Sequence, residues 1–336
     1  MARVVEIDPL FDGGPEPMVR LCEHFGRYRT YGEHEKIATD VGAGLSQRHD
    51  SVANFVRTGG LRAANEPLDV LVARTSYFRE EYAYGDQVYA PGIETFLHHP
   101  AILDAARAVH DRPVIEPSIA YANLMLPGQE LAVHTDVPEF RGINRKVVPQ
   151  WLIVVMHHSG LFEPWRLHIA TGIAWFHDSD HGALAYWPNG PDAPRVQHRI
   201  RANTALVLDT DSVFHGVDRV TDDRPSVLPP VEGASVLEFA GDGAWRLLAP
   251  DGAVSASYPW DELRFSVSWK GYAFADEAAR EAWRGHTDDL DADAVVDRLV
   301  DDLAQRGLAS PDVTRDRDLG LLLIDTYVRF PAVATP

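Results

Sequence analysis

The sequence predicts a mainly β core flanked by helices on both sides. Short runs rich in β-branched and aromatic residues, punctuated by Gly, Pro and Asp, recur from residue 114 to 274. Helical spacing of apolar residues is concentrated before and after that region. Strands do not alternate with helix-length patterns as a parallel α/β sheet requires, so a sandwich or barrel is expected.

The N-terminal third reads as helical. Met18, Leu21, Cys22 and Phe25 recur at i, i+3, i+4 and i+7, and Asp12-Gly-Gly-Pro-Glu-Pro17 opens the segment. Residues 51–58 form a second helical pattern, stopped by Gly59 and Gly60. Residues 68–82 form a third, with Leu71, Val72, Thr75 and Phe78 on one side. Residues 100–110 form a fourth, with Pro100 in its first turn. The β runs are 119–125, 131–137, 151–157, 169–176, 183–187, 205–208, 213–220, 236–239 and 263–272. Helical spacing returns at 277–283, 293–305 and 319–328, with Gly307 as a stop signal. The expected plan is a helical region over 1–112, a β core over 113–274 and a helical region over 275–336.

Composition narrows the function classes. A chain of 336 residues with 45% hydrophobic content is long enough to bury a substantial core. A net charge of −19 argues against nucleic acid or an anionic membrane as partner, and leaves cationic or neutral small molecules open. Cys22 is the only cysteine, so no internal disulfide forms and any metal site must use His, Asp and Glu. Residues 1–10 lack a signal-peptide pattern, and no run approaches the roughly 18 apolar residues of a membrane span. A reducing, cytoplasmic setting is expected. The positive charge is almost all arginine; the lysines are Lys36, Lys146 and Lys270.

His134-Thr-Asp136 is the first feature with chemistry in it. On a strand, residues two apart share a face, so both side chains reach one ion. The triplet alone says little. With 15 His in this composition, about 1.4 His-x-Asp triplets arise by chance, and two occur. His286-Thr-Asp288 lies among Asp289, Asp291 and Asp293 and reads as a solvated acidic connection. His134 instead ends Leu126-Pro-Gly-Gln-Glu-Leu-Ala-Val-His134, a turn feeding a strand. His215 sits on the return of a second strand–turn–strand unit. Arg264 and Ser266 share one face of an alternating strand. Two His and one carboxylate with open positions form the arrangement of non-haem Fe(II) oxygenases. A nearby arginine fork suits a carboxylate cosubstrate.

Four stretches then resemble the Fe(II)/2-oxoglutarate-dependent dioxygenases, in the style of the prolyl-4-hydroxylase-like branch. They are Tyr121 to Asp136, Gly182-Ala-Leu-Ala-Tyr-Trp-Pro-Asn-Gly190, Thr204 to Val220 and Arg264-Phe-Ser-Val-Ser-Trp269. The resemblance covers roughly half the chain. It implies a double-stranded β-helix, a distorted jelly roll. It implies Fe(II) held by His134, Asp136 and His215, with 2-oxoglutarate and O2 as cosubstrates. It places Arg264 on the distal carboxylate of 2-oxoglutarate, Ser266 as its helper, and Tyr121 and Asn123 on a strand that adds hydrogen bonds to the cosubstrate. The family's basic residue usually follows the distal His by about ten positions. Arg224 fits that spacing, but it precedes Pro225 in a loop-like run, whereas Arg264 lies on the right kind of strand. Residues 225–259 then read as an insertion containing its own hairpin. Because Asp136 is present, hydroxylation or desaturation is favoured over halogenation. The implied substrate is a small molecule, such as an amino acid or a secondary metabolite.

The loop Val137-Pro-Glu-Phe-Arg-Gly142 suits a lid, with Phe140 and Arg141 as candidate substrate contacts. Two other classes compete: a cupin-like iron enzyme that does not use 2-oxoglutarate, which would not need Arg264, and a non-catalytic β-helix binding protein. His157 and His158 would face opposite ways on a strand. His177-Asp-Ser-Asp-His181 reads as a turn. Asp209 and Asp211 either orient a ligand histidine from behind or serve the turn. Trp175, Tyr186, Trp187 and Trp269 read as core or cavity wall.

Overall fold

The computed structural model describes residues 2–31, 42, 44–221, 228 and 234–332. The strands in the first half are β1 (Val4–Ile7), β2 (Arg27–Tyr31), β3 (Tyr77–Tyr84), β4 (Gln87–Val88), β5 (Val114–Met125), β6 (Leu131–His134) and β7 (Glu139–Phe140). They continue with β8 (Arg166–Trp175), β9 (Ser179–Tyr186), β10 (Val196–Ile200), β11 (Thr204–Leu208) and β12 (His215–Val217). The last are β13 (Val236–Gly241), β14 (Ala244–Leu248), β15 (Val254–Pro259) and β16 (Arg264–Phe274). The helices are α1 (Glu16–Phe25), α2 (His49–Thr58), α3 (Leu68–Arg74), α4 (Glu94–Leu97), α5 (Pro100–His110), α6 (Gln150–Ser159), α7 (Glu277–Arg284), α8 (Ala292–Gln305) and α9 (Arg317–Tyr327).

The strands form antiparallel sheets. The large one runs β1-β11-β8-β16-β5-β3-β2-β13-β14-β15, and the small one β10-β9-β12-β6. At the centre of the large sheet, β16 pairs with β5 from Arg264↔Met125 to Phe274↔Val114, and with β8 on its other side.

Period-2 alternation on β16 explains both faces of that sheet. Phe265, Val267 and Trp269 enter a core shared with Phe96, Leu97 and Ile102 of α4 and α5. Arg264, Ser266, Ser268 and Lys270 face the opposite way, into a cavity. A second core packs α6 against α8 and α9, through Trp151, Ile153, Val295, Leu299 and Leu323. Trp269 is fully buried, and its indole N–H donates to Leu97 O at 2.7 Å. Trp269→Ala is expected to cost about 3–5 kcal/mol in urea unfolding. Metal affinity in the folded fraction should be unchanged, because the residue faces away from the cavity.

Four expectations need correction. The N-terminal third is not all helical. It contributes β1, β2 and β3 to the large sheet, and β3 pairs with β5 across the expected boundary at 112. The pattern over 68–82 splits into α3 and then β3. A register shift between Glu81 and Ala83 breaks the alternation that would have marked the strand.

Residues 151–157 are not a strand but lie in α6. Trp151 to Met156 are apolar and buried without a break, so neither period shows, and a run that short fits both states. The legible signals were Pro149 at the N-cap and Gly160, with φ 71°, at the C-cap.

The third correction concerns 137–142, which is not a free lid. Its Glu139–Phe140 segment pairs with β8, and a Cβ on Gly142 would lie 2.5 Å from Leu290 O. The segment 236–259 holds more than a hairpin: β13, β14 and β15 form a meander that extends the large sheet from β2. Arg224 lies outside the described residues. Among the described residues, no helix is long and apolar enough to cross a membrane.

Candidate metal centre and its cavity

His134 ends β6 and His215 begins β12, and the two are register partners in the small sheet. Pairing two strands by one residue on each thus sets the imidazoles side by side, with ring centroids 4.3 Å apart. Asp136 follows two residues later, its backbone N–H bonded to Thr210 O at 2.9 Å. Asp136 Oδ1 lies 3.4 Å from His134 Nε2 and 3.7 Å from His215 Nε2. One ligand atom from each residue falls within 4.8 Å of the others.

The histidines are set for coordination. His134 Nδ1 donates to Ala132 O at 2.7 Å and His215 Nδ1 to Val213 O at 2.9 Å. Each bond fixes the tautomer that leaves Nε2 as a lone-pair donor toward the shared point. Burial, then the neighbouring His134, pushes His215 down to about 3, so it stays neutral in ordinary buffers.

The carboxylate is fixed too. Lys270 Nζ and Thr210 Oγ1 each approach Asp136 Oδ2 at 2.7 Å, leaving Oδ1 for a metal. Burial opposes ionisation of Asp136. The charge of Lys270 leads the effects that outweigh it, and the group is held well below the usual carboxylate range.

Sequence reasoning missed Lys270 and Thr210. The β16 alternation already contained Lys270, six residues beyond Arg264 on the same face. Thr210 lies between the two aspartates that were considered. Asp209 serves the turn, accepting from the Asp211 and Ser212 N–H groups and from Arg166. Asp211 is buried with both carboxylate oxygens unpaired, and burial pushes it up to about 8. Thr210→Val removes a donor to Asp136 without changing charge. It is expected to weaken metal binding about tenfold in an anaerobic Fe(II) titration.

A cavity of about 920 Å³ opens onto this cluster. Tyr121, Asn123, Arg264 and Ser266 all line it, as do the three metal-ligand candidates. Arg264 is 3% exposed. Its Nε donates to Gly182 O at 2.8 Å and its Nη1 to Ser266 Oγ at 3.2 Å. Among the described residues no carboxylate pairs with it, and burial pulls its ionisation down to about 9. The Asn123 amide donates to Ser268 Oγ at 3.4 Å, which leaves its buried Oδ1 unpaired.

Phe140 and Arg141 do not line the cavity. Phe140 is 2% exposed in the second core, and Arg141 pairs with Asp288 at 2.7 Å and donates to Pro164 O. His157 and His158, on α6, contact Ser212 and Thr135, so His158 braces the residue between His134 and Asp136. Arg48 donates to Thr135 O at 2.8 Å from the other side. The 177–181 segment is a turn only at 177–178, where Asp178 accepts from the Ala202 N–H; Ser179 to His181 already belong to β9.

No protein-family model matches the chain, and no curated protein matches it. Solved structures do. An oxidoreductase of the 2OG-Fe(II) oxygenase family from Burkholderia pseudomallei is 10% identical, over 59% of this chain and 66% of that one, with a TM-score of 0.33. The non-heme alpha-ketoglutarate-dependent epimerase SnoN from nogalamycin biosynthesis is 11% identical, over 81% and 79%, with a TM-score of 0.40. A Pseudomonas putida prolyl-4-hydroxylase is 10% identical, over 82% and 94%, with a TM-score of 0.35.

Proposed function

We propose that the protein is an Fe(II)- and 2-oxoglutarate-dependent oxygenase that hydroxylates or desaturates a small molecule. The two sheets are then read as a double-stranded β-helix. One observation carries the reading: a pre-set His-Asp-His cluster shares a cavity with a buried arginine that has no acidic partner among the described residues. The donor set of two imidazole nitrogens and one carboxylate oxygen fits Fe(II) with coordination positions to spare. An unpaired buried guanidinium is costly, and a bound carboxylate would relieve that cost with two parallel hydrogen bonds.

His134, Asp136 and His215 would hold the iron, and Arg264 with Ser266 would hold the distal carboxylate of 2-oxoglutarate. Together, iron, 2-oxoglutarate and O2 supply an oxidant able to take a hydrogen atom from a carbon centre. The chain's own share is geometry and exclusion of water. The backbone carbonyls of Ala132 and Val213 hold the imidazoles in one tautomer. Lys270 and Thr210 hold Asp136 Oδ2, so Oδ1 would be the oxygen offered to the metal. Met125, Leu131, Ile173, Leu184 and Val217 line the cavity with apolar surface. A volume of about 920 Å³ lies near the top of the roughly 300–1,000 Å³ range of small-ligand sites, enough for a cosubstrate and a second molecule.

The test adds Fe(II) and then 2-oxoglutarate to metal-free protein under argon. A weak visible charge-transfer band requiring both additions is expected. Iron binding without a 2-oxoglutarate-dependent band would end the cosubstrate reading, and no iron binding at all would end the enzyme reading.

A further inference from the structure

The cavity carries more positive charge than iron and 2-oxoglutarate account for. The chain as a whole is strongly acidic, yet Arg48, Arg79, Arg145, Arg264 and Lys270 line this space against the carboxylates of Asp136 and Glu139. Several of these groups are already engaged. Arg48 pairs with Asp50 at 3.1 Å, Lys270 holds Asp136, and Glu139 accepts from the Tyr272 hydroxyl at 2.8 Å. Arg264 is assigned to the cosubstrate. That leaves Arg79 and Arg145 without a carboxylate partner among the described residues.

Arg79 is the better-built of the two. It lies on β3 at the register position of Asn123, which is itself opposite Ser266, so the three form one row across the cavity face of the sheet. At about 4.8 Å per strand, Arg79 stands two strands, or roughly 10 Å, from the Ser266 position. Its guanidinium lies 3.5 Å from the Tyr121 ring centroid and 4.8 Å from that of Tyr31. Tyr31 in turn packs on Tyr77, with centroids 5.1 Å apart. Glu81 shares this face of β3 but makes no ion pair with Arg79, and Glu80 is taken by Arg29 at 2.9 Å. The rings fix the guanidinium plane, but cation–π contact offsets only part of the desolvation of an arginine. Among the described residues its edge donors lack an acceptor, the arrangement that recognises a carboxylate bidentately. The α2 side chains Val52, Phe55 and Val56 give the same cavity an apolar wall.

We propose that Arg79 is the anion-recognition residue for the substrate, which carries a carboxylate on an apolar body. The carboxylate docks at Arg79 beside Tyr31 and Tyr121, while the carbon to be oxidised lies toward His134 and His215. This assignment rests on the reading above, in which Arg264 is occupied by 2-oxoglutarate.

The probes are 3-phenylpropionate and its neutral amide, 3-phenylpropanamide. Each is titrated calorimetrically, under argon, into protein saturated with Fe(II) and 2-oxoglutarate. Wild type is expected to bind the carboxylate at least tenfold more tightly than the amide. Arg79→Gln should bring the two within twofold while leaving the 2-oxoglutarate titration of the visible band unchanged. Arg79→Lys, which keeps the charge and loses the fork, should retain a preference severalfold smaller than wild type, and it stands in if the Gln variant does not fold. No carboxylate preference in wild type, or an undiminished one in the folded variants, would overturn the assignment. So would loss of thermal stability in the variants with the preference intact, which would mark Arg79 as structural. If the visible band itself never forms, the oxygenase reading fails. The same titrations on the protein alone then report whether Arg79 recognises a carboxylate without it.

Discussion

His134→Ala is expected to lower Fe(II) affinity by at least about a hundredfold and to remove 2-oxoglutarate turnover. The variant should leave the fold in place, because the imidazole makes one hydrogen bond, to Ala132 O, and its loss strands no buried charge. The measurement is an anaerobic Fe(II) titration followed by succinate formation in air. Retention of wild-type iron affinity would show that the metal, if bound, sits elsewhere. Asp136→Ala makes a less clean test. It leaves Lys270 buried and unpaired, and a stranded buried charge costs about 3–5 kcal/mol by itself.

The second large effect belongs to Arg264. Arg264→Met is expected to raise the 2-oxoglutarate concentration needed for the visible band about a hundredfold, the loss of a two-point charge-assisted contact. Fe(II) affinity should stay near wild type, because the Arg264 hydrogen bonds go to Gly182, Met125 and Ser266 and not to His134, Asp136 or His215. The Met side chain leaves Gly182 O without its donor, so a stability loss of about 1 kcal/mol is expected alongside, and unfolding should be measured on the same sample. Arg264→Lys separates charge from fork. It should recover part of the affinity if charge dominates and little if bidentate geometry does. Unchanged 2-oxoglutarate dependence in both variants would leave the buried guanidinium without its proposed ligand.

The site was legible in the sequence to the extent that its residues sit on strands with plain alternation. His134 and Asp136 are two apart, and Arg264 and Ser266 are two apart, so period 2 alone puts each pair on one face. The same alternation reaches Lys270, whose contact with Asp136 was not foreseen because it joins residues 134 positions apart. Thr210 was hidden for a like reason: its hydroxyl meets Asp136 only because two separate turns converge. Phe140 and Arg141 were adjacent to the metal motif in sequence, but pairing of their segment with β8 turns them into the second core and toward Asp288.

By itself the sequence determined the β core, most of its strands, the flanking C-terminal helices and the likeness that singles out His134, Asp136, His215 and Arg264. Those features depend on local periodicity and on residue types at fixed spacing, which a linear chain displays. Only the tertiary structure decided that 77–84 is a strand, that 151–157 is helical, and that Arg79 joins the same cavity as the candidate metal ligands. In the first two, burial and pairing override a weak local pattern. In the third, β3 lies beside β5 through hydrogen bonds between residues about 40 positions apart, a relation that local periodicity does not encode.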